Sequence, residues 1–272
     1  MNDITLTILK NEQIAEGVYE LTLKAVRPPE VKAADFVRLP EIKPGQFANL
    51  EIPGRSDLIL RRPFCLHSHM GGTVKVTFDI KGKGTAALAA VKEGQKINAL
   101  LPLGNGFPHV RQKRIWLVGG GTGVLPLLAA AQALYRENRI FAFLGFKNKA
   151  AVIKEAEFNG LRLSGDCGCW MTRVATDDGS YGEKGFVTDL VAQYEHHEPD
   201  YIFACGPDAM VKNLAPYAQT SEIYVTLESR MGCGVGACLV CACKVKQGGE
   251  PEFKRVCADG PVFRFQEVFH DL

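Results

Sequence analysis

The chain has 272 residues, of which 46% are hydrophobic and 23% charged, the balance of an ordinary globular protein with enough length for one large domain or two to three smaller ones. A formal net charge of only +2 gives overall charge no part in gripping nucleic acid or an anionic membrane. No apolar run is long enough to span a bilayer.

The N-terminus, Met-Asn-Asp-Ile-Thr-Leu-Thr-Ile, enters strand-like alternation without the basic and apolar stretches of a secretion signal. The nine cysteines are therefore expected to work as thiols in a reducing compartment, the cytoplasm, rather than as bridges. Ile4, Leu6 and Ile8 alternate with Thr5 and Thr7, and Tyr19, Leu21 and Leu23 with Glu20 and Thr22. Val74, Val76, Phe78 and Ile80 alternate with Lys75, Thr77 and Asp79. A period of two marks half-buried strands, apolar side in and polar side out. Glycine and proline punctuate the runs at Lys43-Pro-Gly-Gln46 and Met70-Gly-Gly72, and an antiparallel barrel is the natural closure. Residues 27–42, with Pro28, Pro29 and Pro40, read as a long loop.

Two stretches of this region carry possible chemistry. Arg61-Arg-Pro-Phe-Cys-Leu-His-Ser68 puts paired arginines beside a strand, where forked hydrogen bonds can clamp a pyrophosphate; alone, the pair fits a basic edge strand equally. In Gly82-Lys-Gly-Thr85, Thr85 can cap the helical run 86–91 and leave free amides for an anion. Together in one barrel they suggest an anionic cofactor such as FAD. Gly104-Asn-Gly-Phe-Pro108 reads as a turn that closes a first domain, 1–108.

Ile115-Trp-Leu-Val118 is then a short apolar run, followed by Gly119-Gly-Gly-Thr-Gly123 and the helical stretch Val124–Arg136. Strand, glycine turn and helix form a dinucleotide-binding arrangement, which makes Gly119, Gly120, Gly121, Thr122 and Gly123 candidate NAD contacts. A glycine turn that merely packs helix on strand is the alternative. The spacing is G-G-G-x-G, and no carboxylate lies between Phe143 and Lys149 to receive the ribose hydroxyls, so the motif does not choose between NAD and NADP. Further strands are expected at 140–146, 170–175, 201–205 and 223–227, with helices between, which makes 109–226 a parallel-sheet domain. Cys205-Gly-Pro207 ends one such strand, so Cys205, Gly206 and Pro207 are expected to face the site. Cys167 and Cys169 read as incidental thiols.

The tail, 227–272, carries the most specific signal. Cys233, Cys238, Cys241 and Cys257 read C-x4-C-x2-C-x15-C, the spacing that wraps a plant-type [2Fe–2S] cluster. Gly232, Gly234 and Gly236 relieve the cost of the tight wrap. Zinc remains the alternative, but its usual knuckles are two C-x2-C units and only one is present. Cys243 is two residues from Cys241 and is read as a spare thiol.

The order Arg-Arg-Pro, Gly-Lys-Gly-Thr, Gly-Asn-Gly-Phe-Pro, Gly-Gly-Gly-Thr-Gly-Val, Asp178-Gly-Ser-Tyr-Gly182 with Gly185-Phe-Val-Thr-Asp189, Cys-Gly-Pro and the cysteine run closely resembles the electron-transfer subunits of NAD-dependent dihydroorotate dehydrogenase, within the ferredoxin–NADP reductase superfamily. The resemblance covers essentially the whole chain. It implies a multidomain β plus α/β protein: an antiparallel β-barrel FAD domain, a parallel-sheet nicotinamide-binding domain and a small C-terminal [2Fe–2S] segment. It implies FAD contacts at Arg62, Pro63, Phe64, Cys65, Thr77, Phe78, Asp79, Gly84 and Thr85. It also implies a separate FMN-containing catalytic subunit, in a heterotetramer of two copies of each. Electrons from dihydroorotate would pass through the cluster and FAD to NAD+, a step of pyrimidine biosynthesis. Cofactors perform that chemistry, so no acid–base residue is nominated. Cys65 stands where the family usually has serine. A rival circuit keeps the fold but serves a hydrogenase, a glutamate-synthase-like enzyme or a bifurcating transhydrogenase; some such subunits carry aspartate in place of the first cysteine, and Cys233 favours the dihydroorotate system. A non-enzymatic zinc scaffold is the remaining alternative.

Overall fold

The computed structural model describes residues 2–26, 39–70, 72–162, 170–246 and 249–270. Cys167, Cys169 and most of the loop 27–42 lie outside them.

The first sheet comprises Asn2–Ala15 (β1), Val18–Ala25 (β2), Phe47–Leu50 (β3), Arg62–Cys65 (β4), Ser68–Met70 (β5), Thr73–Asp79 (β6) and Lys96–Leu103 (β7). Its strands are antiparallel, in the order β4-β3-β7-β1-β2-β6-β5. The alternating apolar side chains point inward: Leu6, Ile8, Leu21, Leu23, Val74, Val76 and Ile97 share one buried core. Burying each contributes about 1.5–3 kcal/mol, which fixes the register, since a one-residue slip would turn every one of them to solvent. The sheet curls until Phe64 on β4 meets Phe78 on β6, with ring centroids 5.2 Å apart, so the barrel is nearly closed. Helix Lys83–Ala89 (α1) packs Leu88 into the same core.

The second sheet is built from Arg114–Gly120 (β8), Arg139–Phe146 (β9), Trp170–Thr176 (β10), Glu183–Lys184 (β11), Tyr201–Cys205 (β12) and Glu222–Thr226 (β13), all parallel. Helices Val124–Leu134 (α2) and Glu155–Arg162 (α3) cover one face. Val187–Ala192 (α4) and Asp208–Lys212 (α5) cover the other. Burial on both sides explains why β8 reads as an unbroken apolar run rather than an alternation.

The tail adds the hairpin Ala242–Val245 (β14) and Glu252–Arg255 (β15), the strand Val262–Arg264 (β16) and the short helix Phe265–Val268 (α6). β16 returns to pair antiparallel with β13, completing the order β11-β10-β9-β8-β12-β13-β16. Val262, Phe263 and Phe265 are consequently core residues. Among the described residues, no helix is long and apolar enough to cross a membrane.

Barrel and sheet are joined by a shared core. Val18, at the tip of the β1–β2 hairpin, and Phe107 pack with the α2 side of the second sheet. One polar residue departs from the expected alternation here. Glu20 does not face solvent; it is 3% exposed and surrounded by ionisable partners.

Candidate redox site

The cysteine loop lies against the barrel. Asn49 on β3 donates its side-chain amide to the Cys233 carbonyl at 3.2 Å. Gly234 and Gly236 have φ of +72° and +83°, the left-handed region that glycine enters without a Cβ penalty. The turn aims main-chain amides at sulfur. Val235 and Ala237 donate to Cys233 Sγ at 3.4 and 3.3 Å, Cys233 to Cys238 Sγ at 3.3 Å, Gly236 to Cys257 Sγ at 3.1 Å, and Cys257 to Cys241 Sγ at 3.4 Å. Arg255 braces the loop, giving one guanidinium nitrogen to the Gly236 carbonyl at 3.1 Å and two others to the Asp259 carboxylate.

The four thiols expected from spacing all take part in the bonds of this loop, although among the described residues no three metal-ligating side chains stand in coordinating geometry. Cys241 Sγ and Cys257 Sγ are 3.2 Å apart and buried, whereas Cys233 and Cys238, tied by the Cys233 amide to Cys238 Sγ at 3.3 Å, lie nearer the surface. The amide bonds, led by that of Val235, hold the Cys233 thiol below its ordinary pKa and favour the thiolate that a metal needs. Burial and the hydrogen bond with Cys241 push Cys257 upward, so its deprotonation calls for a cation to compensate. Cys243 takes no part in these hydrogen bonds; it lies on β14 and packs against the small core that holds Phe47, Leu103, Val256 and the two buried thiols Cys241 and Cys257.

Beside this loop runs a cleft walled by Arg62, Pro63, Phe64 and Cys65 of β4, by Thr77, Phe78 and Asp79 of β6, and by Thr85. Of the residues implied for FAD, only Gly84 is not in its wall. Gly84 backs Arg62: a Cβ there would sit 2.6 Å from Arg62 Nε, so its absence lets the guanidinium lie across the start of α1. The paired-arginine clamp is only half realised. Arg62 reaches the cleft, while Arg61 is held by the Asn98 carbonyl at 3.1 Å and by Glu51 at 3.6 Å. Thr85 is not the cap residue; it lies in the first turn of α1, and its hydroxyl accepts from the amides of Lys81 and Gly82 at 2.8 and 3.2 Å. Those two donors are thereby used locally.

A second cleft opens at the carboxyl ends of β8 and β12, where open α/β sheets take their ligands. Gly120, Gly121, Thr122, Gly123, Gly206 and Pro207 line it, with Lys147, Asp177 and Phe186. Gly119 lies outside this wall. It is buried in β8 under α2, where a Cβ would come within 2.9 Å of Leu127. Gly123 also serves close packing, since its Cβ would sit 2.2 Å from the Cys205 carbonyl oxygen. Cys205 faces the first cleft rather than the second, and burial pushes its thiol up to about 12. Burial also raises the Cys65 thiol well above its usual range, with further upward pushes from Cys205 and Glu228, so both stay protonated.

The two clefts share a wall of Asp79, Lys81, Thr122, Thr226, Leu227 and Glu228. The Thr122 hydroxyl donates to Asp79 across the joint at 3.4 Å. Sequence reasoning did not find Glu228, although it lies two residues past a strand end, the region that signals a site. It also missed Asp177, because a carboxylate was expected only in the stretch after β9, whereas Asp177 follows β10 into the cleft wall. The Asp177 amide donates to the Phe146 carbonyl at 3.0 Å, which keeps the two strand ends side by side.

A nearly closed barrel, a parallel dinucleotide sheet and a four-thiol loop meeting at one double cleft define an iron–sulfur flavin reductase of the ferredoxin–NADP reductase type. Residues 228–269 match the iron–sulfur cluster binding domain of dihydroorotate dehydrogenase B, and residues 117–215 the oxidoreductase NAD-binding domain. The dihydroorotate dehydrogenase B (NAD(+)) electron transfer subunit of Geobacillus kaustophilus is 41% identical over 269 residues, 97% of each chain. A solved NADH-dependent reduced ferredoxin–NADP oxidoreductase, a system of flavin-based electron bifurcation, superposes with a TM-score of 0.78 at 31% identity, over 97% of this chain and 89% of the other. The flavohem-like FAD/NAD binding domain of nitric oxide dioxygenase from Vibrio cholerae shares the fold, with a TM-score of 0.68 at 18% identity over 84% of this chain and 99% of that domain. The chain belongs to the electron transfer subunits of NAD-dependent dihydroorotate dehydrogenase B. It is an oxidoreductase subunit that works with a catalytic partner subunit, and the bifurcating circuit is the less similar of the two.

Proposed function

We propose that the first cleft holds FAD, the second the nicotinamide dinucleotide, and the thiol loop a [2Fe–2S] cluster ligated by Cys233, Cys238, Cys241 and Cys257. The partner is an FMN-containing subunit that oxidises dihydroorotate, in a heterotetramer of two copies of each subunit in the cytoplasm. When bound, the cluster passes electrons singly and the flavin gathers them for hydride transfer to NAD+. The single observation that carries this reading is one continuous segment: Leu227 and Glu228 line both clefts, and Ser229 and Met231 continue along the first cleft to Cys233.

The residues divide the work. Arg62 offers a fixed positive charge to the flavin pyrophosphate, and Gly84 gives it room. Phe64 and Phe78 supply apolar surface for the ring. Gly120 and Gly121 allow the second dinucleotide to approach the backbone, and Asp177 accepts hydrogen bonds from its ribose, which favours NAD over NADP. The neutral Cys65 and Cys205 thiols exclude water from the flavin edge without adding charge.

Purification of the complex from native cells tests the assignment. The expected result is a flavin- and iron-containing assembly that reduces NAD+ when given dihydroorotate, with an anaerobic paramagnetic iron signal after dithionite. A colourless preparation without acid-labile sulfide would overturn it.

A further inference from the structure

A buried charged cluster that the electron path does not use lies at the joint between barrel and sheet. Glu20 on β2 is 3% exposed. Its carboxylate meets Lys154 Nζ at 2.5 Å, Lys75 Nζ at 2.7 Å and the Thr77 hydroxyl at 3.1 Å. His67, 1% exposed, shares the Thr77 hydroxyl at 2.9 Å and lies 3.4 Å from Glu20. Lys75, Thr77, His67 and Glu20 belong to the barrel, but Lys154 comes from the other domain, just before α3. It is 6% exposed, is also held by Glu157 at 2.9 Å, and has φ of +62°, a conformation that a residue with a Cβ adopts at a cost of about 1–2 kcal/mol.

We propose that Lys154 and Glu20 form a latch that sets the nicotinamide domain against the flavin barrel, and so act as positioning residues for hydride transfer. The chain to the reacting region is short. Thr77 is both a partner of Glu20 and part of the flavin cleft wall, and Asp79, two residues along the same strand, lies in the wall of both clefts. Apolar packing of Val18 at the same joint holds the two bodies together but leaves sliding cheap. A buried carboxylate clasped by two ammonium groups has one good geometry, because sliding one domain past the other would part a charge pair that burial has stripped of water. The latch therefore adds the directional constraint that hydrophobic contact lacks.

The inference rests on the two-cleft reading above, which is tested separately by whether wild-type complex shows flavin bleaching with NADH at all. Lys154→Met and Glu20→Gln, each made in the full complex, test the latch. Flavin and iron content should match wild type. Flavin reduction by saturating NADH should slow by about tenfold with the NADH half-saturation little changed, the signature of misplaced rather than missing contacts. Lys154→Arg, which keeps the charge, should retain most of the rate. If Lys154→Met does not hold flavin, Glu20→Gln carries the same test. A reduction rate equal to wild type in a folded variant overturns the proposal, even where the thermal midpoint falls, because the pair would then serve stability alone.

Discussion

The side-chain amide of Asn49 and the main-chain carbonyl of Cys233 are bonded at 3.2 Å, a direct tie between a strand of the barrel and the thiol loop. Asn49 pairs along β3 with Pro63 of the flavin-facing strand. Asn49→Leu should cost about 1 kcal/mol for the lost bond and free the loop at its first cysteine. Flavin content is expected to be unchanged, while iron is lost faster to a chelator. Equal rates of iron loss would show that the tie does not hold the loop.

Gly234→Ala and Gly123→Ala test close approach in two places. A Cβ on Gly234 would sit 2.4 Å from the Asn49 amide nitrogen at a φ of +72°. Cluster content should fall sharply while the barrel still binds flavin. A Cβ on Gly123 would meet the Cys205 carbonyl oxygen. Overpacking costs about 1–3 kcal/mol, so the thermal midpoint should drop by several degrees.

The third cluster ligand is separable from its neighbour by paired substitutions. Cys241→Ser should abolish the paramagnetic signal, whereas Cys243→Ser, altering a thiol packed against Phe47 and Val256, should keep it. The opposite outcome would reassign the ligand.

Cys65→Ser puts a hydroxyl in place of the thiol in the wall of the first cleft. A hydroxyl is a better donor than a thiol, so FAD should remain bound while its rate of reduction by NADH changes. An unchanged stopped-flow trace would sink the idea.

Acid should weaken the domain joint through His67 and Glu20. Burial lowers His67 from 6.5 to about 4. Above 6.5 it is neutral in both folded and unfolded chains and its full contribution is present. As pH falls from 6.5 toward 4, only the unfolded chain takes up the proton, so up to about 3 kcal/mol is lost. Burial raises Glu20, but the bonds from Lys154 and Lys75 outweigh that and hold it at about 2. Its contribution is present above the ordinary carboxylate range and declines as pH falls from 4.5 toward 2. Denaturation melts across this range should show a shallower slope between pH 6.5 and 4 in His67→Gln.

The presence of an iron–sulfur segment, both sheets and the two glycine-rich turns were legible in the sequence because each is a local pattern. Cysteine spacing, a period of two and a strand–glycine–helix order are short-range consequences of backbone geometry. The division of labour within a motif was not. Arg61 and Arg62 are adjacent and chemically identical, yet one braces Glu51 and the other faces the cleft. Gly119 and Gly120 differ only in which lies beneath α2. The alternation around Glu20 announced an exposed carboxylate, and only the arrival of Lys154, far along the chain, made burial tolerable. Asp177 and Glu228 reach their clefts by the side-by-side placement of strand ends. Local pattern fixed which elements form; long-range packing decided which neighbouring residues meet, because contacts between distant segments depend on the folded distance between them and leave no period in the chain.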